Sequence, residues 1–157
     1  MKHVDPSLYF EKQDFFESML LRIHYDRQAG TLEFILDDAQ SRQSGMLAAN
    51  ERHFVRLHFK GVQNIQRENT LLKFVDPKVI DYSGNQGHCP SVESVKISAD
   101  TAPVFRIGFG TFGTFAFGFA DLYVQEKRGR AVRKNGGEWC YSDAETGAEL
   151  EFFNPFN

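Results

Sequence analysis

Cysteine is scarce in this sequence, since Cys89 and Cys140 are its only two copies in 157 residues. Two thiols are too few for a disulfide scaffold or a four-cysteine zinc site, so we interpret both as reduced. Long apolar runs are missing as well. Residues 1–12 hold no uninterrupted apolar core such as a signal peptide needs, and the longest apolar stretch, residues 109–120, is interrupted by Gly and Thr. These absences predict a soluble, cytoplasmic protein without a membrane partner.

Positive charge is not in excess either. The net charge of -3 and the pI of about 5.9 argue against nucleic acid as a partner, so any basic site must be local. Phenylalanine, in contrast, is abundant with 16 copies, which predicts an aromatic core. A chain of 157 residues is large enough to bury such a core, and we predict one domain that covers residues 1–157.

Alternating apolar and polar residues predict a β-hairpin near the N-terminus. Residues 19–25 and residues 31–37 both alternate with a period of two, and a turn that ends in Gly30 separates them. Residues 54–60 follow the same pattern, and Gly61 is expected to end that strand. Antiparallel pairing of the first two runs is therefore predicted.

The rest of the chain predicts further short strands and little helix. Residues 104–125 are apolar or small on both alternating sets, which predicts a central strand covered on both sides. Other predicted elements are a helix at residues 6–13, a helical turn at 46–49, strands at 70–75, 92–97, 139–141 and 149–153, and a loop at 76–90. The fold class is therefore all-β, or β-dominated α+β, as an antiparallel sandwich or partly open barrel with one or two short helices.

Residues 108–113 read Gly-Phe-Gly-Thr-Phe-Gly and match the G-x-G-x-x-G pattern of dinucleotide-binding loops. That motif requires a helix to begin at its third glycine, whereas residues 114–119 are rich in β-formers and broken by Gly. We interpret the segment as a glycine hairpin that lets Phe rings pack. No cofactor is predicted.

Histidine and cysteine do not form a recognisable site in the sequence. His88 and Cys89 lie in a Gly-rich loop, but neighbours in sequence need not act together, because a catalytic Cys and His meet in space. His53 and His58 lie five residues apart on one predicted strand, so their rings point to opposite faces. Neither a catalytic residue nor a metal site is predicted.

Two clusters of charge are candidate partner-binding sites. Asp37 and Asp38 lie where the first hairpin ends and could cap a loop, hold a cation or meet a basic partner, with a solvated turn as the competing interpretation. Lys127, Arg128 and Arg130 belong to a run of five cations around a turn predicted at Arg128-Gly129. On a protruding hairpin these cations would meet phosphates or an acidic protein surface, or would only protect a sheet edge from aggregation.

Three segments of the chain carry a family resemblance: residues 15–20 followed by 22–26, residues 57–62, and residues 113–117. Together they resemble small β-rich bacterial proteins that include immunity proteins of polymorphic toxin systems. Members of that group often place a His and an Asp before the first strand, where this chain has Phe16 and Glu17. This departure means that no role of that pair is carried over. The resemblance implies a protein that neutralises a toxin by binding it directly.

The sequence thus favours a non-enzymatic binding protein whose partner is another protein. One alternative is a ligand-binding or enzymatic β-barrel with a Phe-lined pocket, in which Arg106, His58 or Tyr123 would supply polarity. A third alternative is a homo-oligomeric structural component, such as a homodimer, joined through sheet edges.

Overall fold

The computed structural model of the protein describes residues 1–43, 45, 47–68, 81–84, 89–98 and 100–157. Within these residues the chain is β-dominated and antiparallel, which confirms the predicted fold class. The elements are β1 (Lys2–Val4), α1 (Pro6–Lys12), β2 (Met19–Asp26), β3 (Thr31–Asp37), α2 (Ala39–Gln43), β4 (Glu51–Lys60), β5 (Gln63–Glu68), β6 (Asp81–Ser83), β7 (Ser94–Ile97), β8 (Val104–Gly108), a 3-10 turn (Gly110–Phe112), β9 (Thr114–Gly118), β10 (Asp121–Arg133), β11 (Trp139–Asp143) and β12 (Glu149–Leu150).

These strands form two sheets. The large sheet contains β12, β11, β10, β4, β3, β2 and β6 in that order, and β1 pairs with β10 on the same edge as β11. The small sheet contains β5, β9, β8 and β7. As predicted, β2 and β3 pair as an antiparallel hairpin, with Asp26 opposite Thr31. We call the face of the large sheet that packs against the small sheet the inner face, and the opposite one the outer face.

The aromatic core lies between the two sheets. Phe34 and Phe59 come from the large sheet, Phe105 and Phe117 come from the small sheet, and each is at most 1% exposed. The ring centroids of Phe59 and Phe105 are 4.7 Å apart, and those of Phe59 and Phe117 are 5.0 Å apart. Such distances are typical of favourable aromatic pairs. The interior is therefore packed with phenylalanine, as the composition predicts.

A second apolar cluster lies on the outer face of the large sheet. It comprises Leu21, Ile35, Phe54, Tyr141 and Leu150, and Phe152 and Phe156 of the C-terminal segment pack against it. Leu20 and Leu21 are both buried because strand alternation directs them to opposite faces of the sheet, and both faces are covered here. A β-bulge between Leu20 and Arg22 then shifts the alternation, so that Ile23 lies in the inner core as Leu20 does. Leu20 enters the inner core, whereas Leu21 joins the outer cluster.

The glycine-rich residues 108–113 form the turn between β8 and β9, as the hairpin interpretation predicts. Gly113 has φ 109°, a conformation that a side chain disfavours, and a strand rather than a helix follows it. The geometry therefore lacks the helix that a dinucleotide-binding loop requires.

Strand β9 is covered on one face only. Phe115 and Phe117 are buried, whereas Ala116 and Gly118 are partly exposed and Ala120 is fully on the surface. The prediction that residues 104–125 are covered on both faces is therefore wrong. The prediction failed because the open face carries the small residues Ala116, Gly118 and Ala120, which give the same sequence pattern as a strand that is buried on both faces.

Both α-helices are short. Asp5 caps α1 by accepting a hydrogen bond from the backbone N–H of Leu8, and Pro6 begins the helix, as predicted. Helix α2 precedes the helical turn predicted at residues 46–49, of which residue 46 lies outside the described residues. The predicted strand at residues 70–75 also lies outside them, as do residues 76–80 and 85–88 of the predicted loop. Among the described residues, no helix is long and apolar enough to cross a membrane.

Candidate functional site

Strand β10 runs without interruption through the predicted basic hairpin. Residues 121–130 pair with β4 in one continuous register, in which Arg128 lies opposite His53 and Gly129 lies opposite Arg52. The turn predicted at Arg128-Gly129 is therefore wrong. Gly129 is a mid-strand residue. A glycine is needed at this position because a side chain here would collide with the ring of Phe54.

A continuous strand divides the cations between two faces. Leu122 and Val124 belong to the inner core, so alternation places Arg128 and Arg130 further along the same inner face. Lys127 is on the outer face, where its Nζ donates to the carbonyl oxygen of Pro155 at 3.0 Å. The side chains of the predicted cluster therefore point to two faces, with the exposed Arg128 and Arg130 on the inner face and Lys127 on the outer face, although Lys127 and Arg128 line one cleft at the edge of the sheet.

The inner face of the large sheet changes from apolar to charged beyond the small sheet. Val55 of β4 is buried in the core, whereas His53, two residues earlier on the same face, lines an open cleft of about 580 Å³. Glu126 and Arg128 continue the corresponding row on β10 and line the same cleft. We call this depression the charged cleft; its lining also includes Gln13, Ser41 and Glu145.

A buried carboxylate organises the base of the charged cleft. Asp38 is fully buried and accepts hydrogen bonds from the backbone N–H of Gln40 at 3.0 Å, from Ser41 Oγ at 2.6 Å and from His53 Nδ1 at 2.9 Å. Burial alone would disfavour its charged form, but these hydrogen bonds outweigh that effect, so the pKa of Asp38 is lowered. Helix α2 follows directly after Asp38 and delivers two of these donors.

Ser41, His53 and Asp38 do not have the geometry of a catalytic triad. In a triad, the serine and the aspartate bond to different ring nitrogens of the histidine. Here Ser41 Oγ lies 3.0 Å from Nδ1, the same nitrogen that contacts Asp38, and Nε2 lies 3.4 Å from Glu126 Oε1. Because Ser41 also donates to Asp38, this arrangement holds the carboxylate in place instead of activating the serine.

The two predicted acidic residues diverge from each other. Asp37 is completely buried and faces Arg52, whose Nε lies 3.9 Å from its Oδ2. Asp38 faces the charged cleft with His53 and Ser41 in front of it. The solvated turn considered for these aspartates is therefore wrong, because both carboxylates are inside the protein. A direct contact with a partner would need them to be accessible.

Polar groups proposed for a Phe-lined pocket lie away from the Phe core. His58 Nδ1 lies 2.5 Å from Glu33 Oε1, and these two side chains with Arg56 form an ion cluster on the outer face. Burial disfavours the charged form of Glu33, but hydrogen bonds from His58 and Arg56 outweigh it and lower the pKa of Glu33. Tyr123 lies under the Nζ of Lys60, which is 4.5 Å from its ring centroid. The predicted association of such residues with an inner pocket is wrong.

Arg106, the third polar residue proposed for that pocket, is exposed and bonds to Glu68 at 2.8 Å. The thiol of Cys89 is not an activated nucleophile, because burial and the negative charge of Asp37 raise its pKa. His88 lies outside the described residues. Within the part of the chain that the structure describes, no group of His, Cys, Asp and Glu is arranged to hold a metal ion.

Most residues that line the charged cleft were not identified from the sequence as a site, and Ser41, His53 and Glu126 are among them. A signal for two of them is present: the inner-face rows that contain Val55 and Val124 continue with His53 and Glu126, respectively. Ser41 gives no such signal, because its position depends on how α2 packs against β4.

A comparison of the chain with protein-family models finds no match, and comparisons with curated proteins and with solved structures find none either.

Proposed function

We propose that this protein binds another protein, as immunity proteins of polymorphic toxin systems do, and that the charged cleft and the adjacent Arg130 carry the contact. The observation behind this proposal is that Arg128 and Arg130 are exposed side by side on the inner face, with no ion pair to either among the described residues. Two such cations attract an acidic surface and accelerate its association.

Three other charges near the arginines, those of Lys127, Glu126 and Asp143, have partners within the chain. Lys127 contacts Asp143 at 4.0 Å in addition to Pro155, and Glu126 contacts His53 at 3.4 Å. Asp143 is held by the backbone N–H groups of the turn that follows it, which lower the pKa of its carboxyl group. Arg128 and Arg130 are therefore the cations best able to form ion pairs with acidic side chains of a partner.

The packed interior also favours a surface contact over the Phe-lined pocket of the alternative function. Phe34, Phe59 and Phe117 occupy the space between the sheets with centroid distances of 5.0 to 6.2 Å. A small-ligand site usually needs a concave pocket that buries most of the ligand. The charged cleft is open to solvent instead, which suits a protruding part of a protein.

The test uses the product of the adjacent gene, because an immunity protein is expected to be encoded beside its toxin. That product is expressed in a bacterial host alone, with the wild-type chain, and with the variant Arg128→Glu/Arg130→Glu. We expect the wild-type chain to restore growth and to co-purify with the product, and the double variant to do neither. The folded state of the variant is checked by thermal unfolding, because exposed charges contribute little to stability.

Arg133→Glu is the matched control. Arg133 lies on the same strand, but its guanidinium stacks on the exposed ring of Trp139 at 5.0 Å and is on the outer face. We expect this control to protect the host as well as the wild type does. Protection by the double variant equal to that of the wild type would refute the proposed contact surface, and a wild-type chain that binds no such product would refute the immunity function.

A further inference from the structure

His53 lies between two carboxylates at the charged cleft. Its Nδ1 is 2.9 Å from Oδ2 of the fully buried Asp38, and its Nε2 is 3.4 Å from Oε1 of Glu126. The side chain of His53 is only 15% exposed, whereas that of Glu126 is 54% exposed. One ring nitrogen is therefore enclosed by the protein, and the other faces a carboxylate that is free to move in solvent.

The charge of the imidazole decides whether both contacts can be hydrogen bonds. Although burial disfavours the charged form of Asp38, its hydrogen bonds lower the pKa of Asp38, so this carboxylate is an acceptor and Nδ1 of His53 must carry a hydrogen atom. Nε2 carries a second hydrogen atom only in the imidazolium form. Protonated His53 can therefore donate to both carboxylates, whereas neutral His53 turns a lone pair toward Glu126.

Arg128 is an alternative partner for the Glu126 carboxylate. The two residues are neighbours on the inner face of β10, about 7 Å apart along the strand. His53 lies directly opposite Arg128 on β4, which makes it a diagonal neighbour of Glu126. In the structure Glu126 contacts His53, and among the described residues no ion pair joins it to Arg128. Glu126 thus has two cations within reach, of which the arginine is always charged and the histidine is not.

The other groups around the cleft keep their charge state where an imidazole changes its own. Burial, together with the charges of Glu126 and Asp38, raises the pKa of Tyr9 on α1, so this phenol stays protonated. Carboxyl groups, lysine and arginine ordinarily titrate outside the range of about pH 5 to 8, in which histidine changes its charge. The remaining charged residues that line the cleft in the described part of the chain are of these types: Lys127, Asp143 and Glu145.

We infer that the protonation state of His53 regulates the contact between Arg128 and the acidic partner. Protonated His53 holds Glu126 and leaves the guanidinium of Arg128 to the partner. When His53 loses its proton, Glu126 is released, pairs with Arg128 and competes with the acidic side chain of the partner. The inference rests on the proposed function and specifies its regulation, in which binding weakens as the pH rises through the titration of His53.

Loss of the proton has a second effect in the same direction. It removes a positive charge beside Arg128, which weakens the attraction of an acidic surface even if Glu126 does not move. The variant Glu126→Gln separates the two effects, because its amide cannot form an ion pair with Arg128 while His53 still titrates. Glu126 is exposed, so this substitution should leave the fold intact.

The free chain tests the role of Glu126 without a partner. The ¹³C chemical shift of the Glu126 carboxyl carbon, followed by NMR, should change with the same midpoint as the His53 ring signals, and His53→Gln should abolish that change. Glu68, which pairs with Arg106 on the small sheet, is the reference carboxylate and should show no such change. A Glu126 signal that does not follow His53 would overturn the inference, whether or not a complex forms.

The effect on binding is measured as the association rate with the product of the adjacent gene at about pH 6 and about pH 8, at one ionic strength. We expect the wild-type chain to associate roughly threefold faster or more at the lower pH. Glu126→Gln should associate faster than the wild type at the higher pH and should show a smaller ratio between the two rates. His3→Gln is the control, because His3 contacts Asp121 at 3.0 Å and does not line the cleft. It should keep the wild-type ratio.

The outcomes separate this inference from the proposed function. A complex that forms equally fast at both pH values would overturn the inference and leave the proposed function standing. An equal ratio for the wild type and Glu126→Gln would overturn it as well, because the charge of His53 or a titrating group of the partner would then explain the effect without Glu126. If no complex forms at either pH, the proposed function fails, and the regulation of that contact fails with it.

Discussion

Gly129 of β10 lies directly under the ring of Phe54 on the neighbouring strand β4. A Cβ atom at position 129 would lie 2.6 Å from Cε2 of Phe54 and 3.3 Å from the carbonyl oxygen of Ser142. A glycine in mid-strand weakens the strand unless it makes room for a close neighbour. Here it lets the Phe54 ring reach Tyr141, whose centroid is 4.9 Å away.

Substituting this glycine should therefore destabilise the protein. We expect Gly129→Ala to lower the free energy of unfolding by about 1–3 kcal/mol, because an added methyl group overpacks the outer cluster. Gly118→Ala is the control, since the nearest atom to its Cβ is an ordinary 3.7 Å away. Urea unfolding measures both. Equal stability of the two variants would contradict the close packing described for Gly129 and Phe54.

Phe117 tests the aromatic core. Its ring contacts the rings of Phe34, Phe59 and Phe105 and is 1% exposed. Phe117→Ala should reduce the free energy of unfolding by about 3–5 kcal/mol, because it removes buried apolar area and leaves a cavity. Phe16, which is 47% exposed, gives the comparison, and Phe16→Ala should change stability far less. A loss below about 1 kcal/mol at Phe117 would mean that this face is not packed.

The buried carboxylate at the base of the charged cleft predicts a pH dependence. The pKa of Asp38 is lowered in the folded protein, so its hydrogen bonds stabilise the folded state above the ordinary aspartate pKa of about 3.9. That contribution is lost as the pH falls through the lower folded pKa. Asp38→Asn should be less stable than the wild type near neutral pH and should show a shallower loss of stability below about pH 4.

Unfolding by urea at a series of pH values between about 3 and 7 measures this effect. The lowered pKa of Glu33 should leave a residual acid dependence in the variant, since its cluster with Arg56 and His58 is intact. Identical pH profiles for wild type and Asp38→Asn would show that the Asp38 carboxylate does not stabilise the fold in its charged form.

The orientation of the β10 backbone can be tested with proline. Glu126→Pro removes an N–H on the edge of β10 that faces away from β4, for which no backbone partner is found among the described residues, whereas Lys127→Pro removes one that faces β4 in the continuous ladder. We expect the melting temperature to fall much more for Lys127→Pro. Similar losses would contradict the alternation that turns the N–H of Glu126 away from β4.

Local periodicity was sufficient to predict most of the strands. The pair β2 with β3 consists of residues close in sequence, and a period of two with a turn between the strands identifies this hairpin. The hairpin of β10 with β11 was not predicted, because the turn was expected within β10 and not after it. The exception within β10 arose because Arg128-Gly129 has the composition of a turn. The packing of Phe54 on this glycine comes from a strand more than 70 residues earlier, and no local pattern reports it.

The candidate site was predicted less completely for the same reason. Arg128 was identified from the local density of cations. That its side chain points to the opposite face from that of Lys127 could not be predicted, because this follows from a continuous strand where a turn was expected. The sequence predicts a surface position for Asp38, because consecutive aspartates after a strand usually lie in a solvated turn. Its burial depends on donors from α2 and from His53, which only the tertiary fold brings together.

The proposed contact depends most directly on the exposed arginines of the inner face, Arg128 and Arg130. The decisive measurement is the association rate between this chain and the product of the adjacent gene, over a series of ionic strengths, for wild type, Arg128→Glu/Arg130→Glu and Arg133→Glu. We expect the rate to fall steeply with salt for the wild type and the control, and to be slow and nearly independent of salt for the double variant. Equal rates and equal salt slopes for all three proteins would contradict the claim that Arg128 and Arg130 guide an acidic partner to the charged cleft.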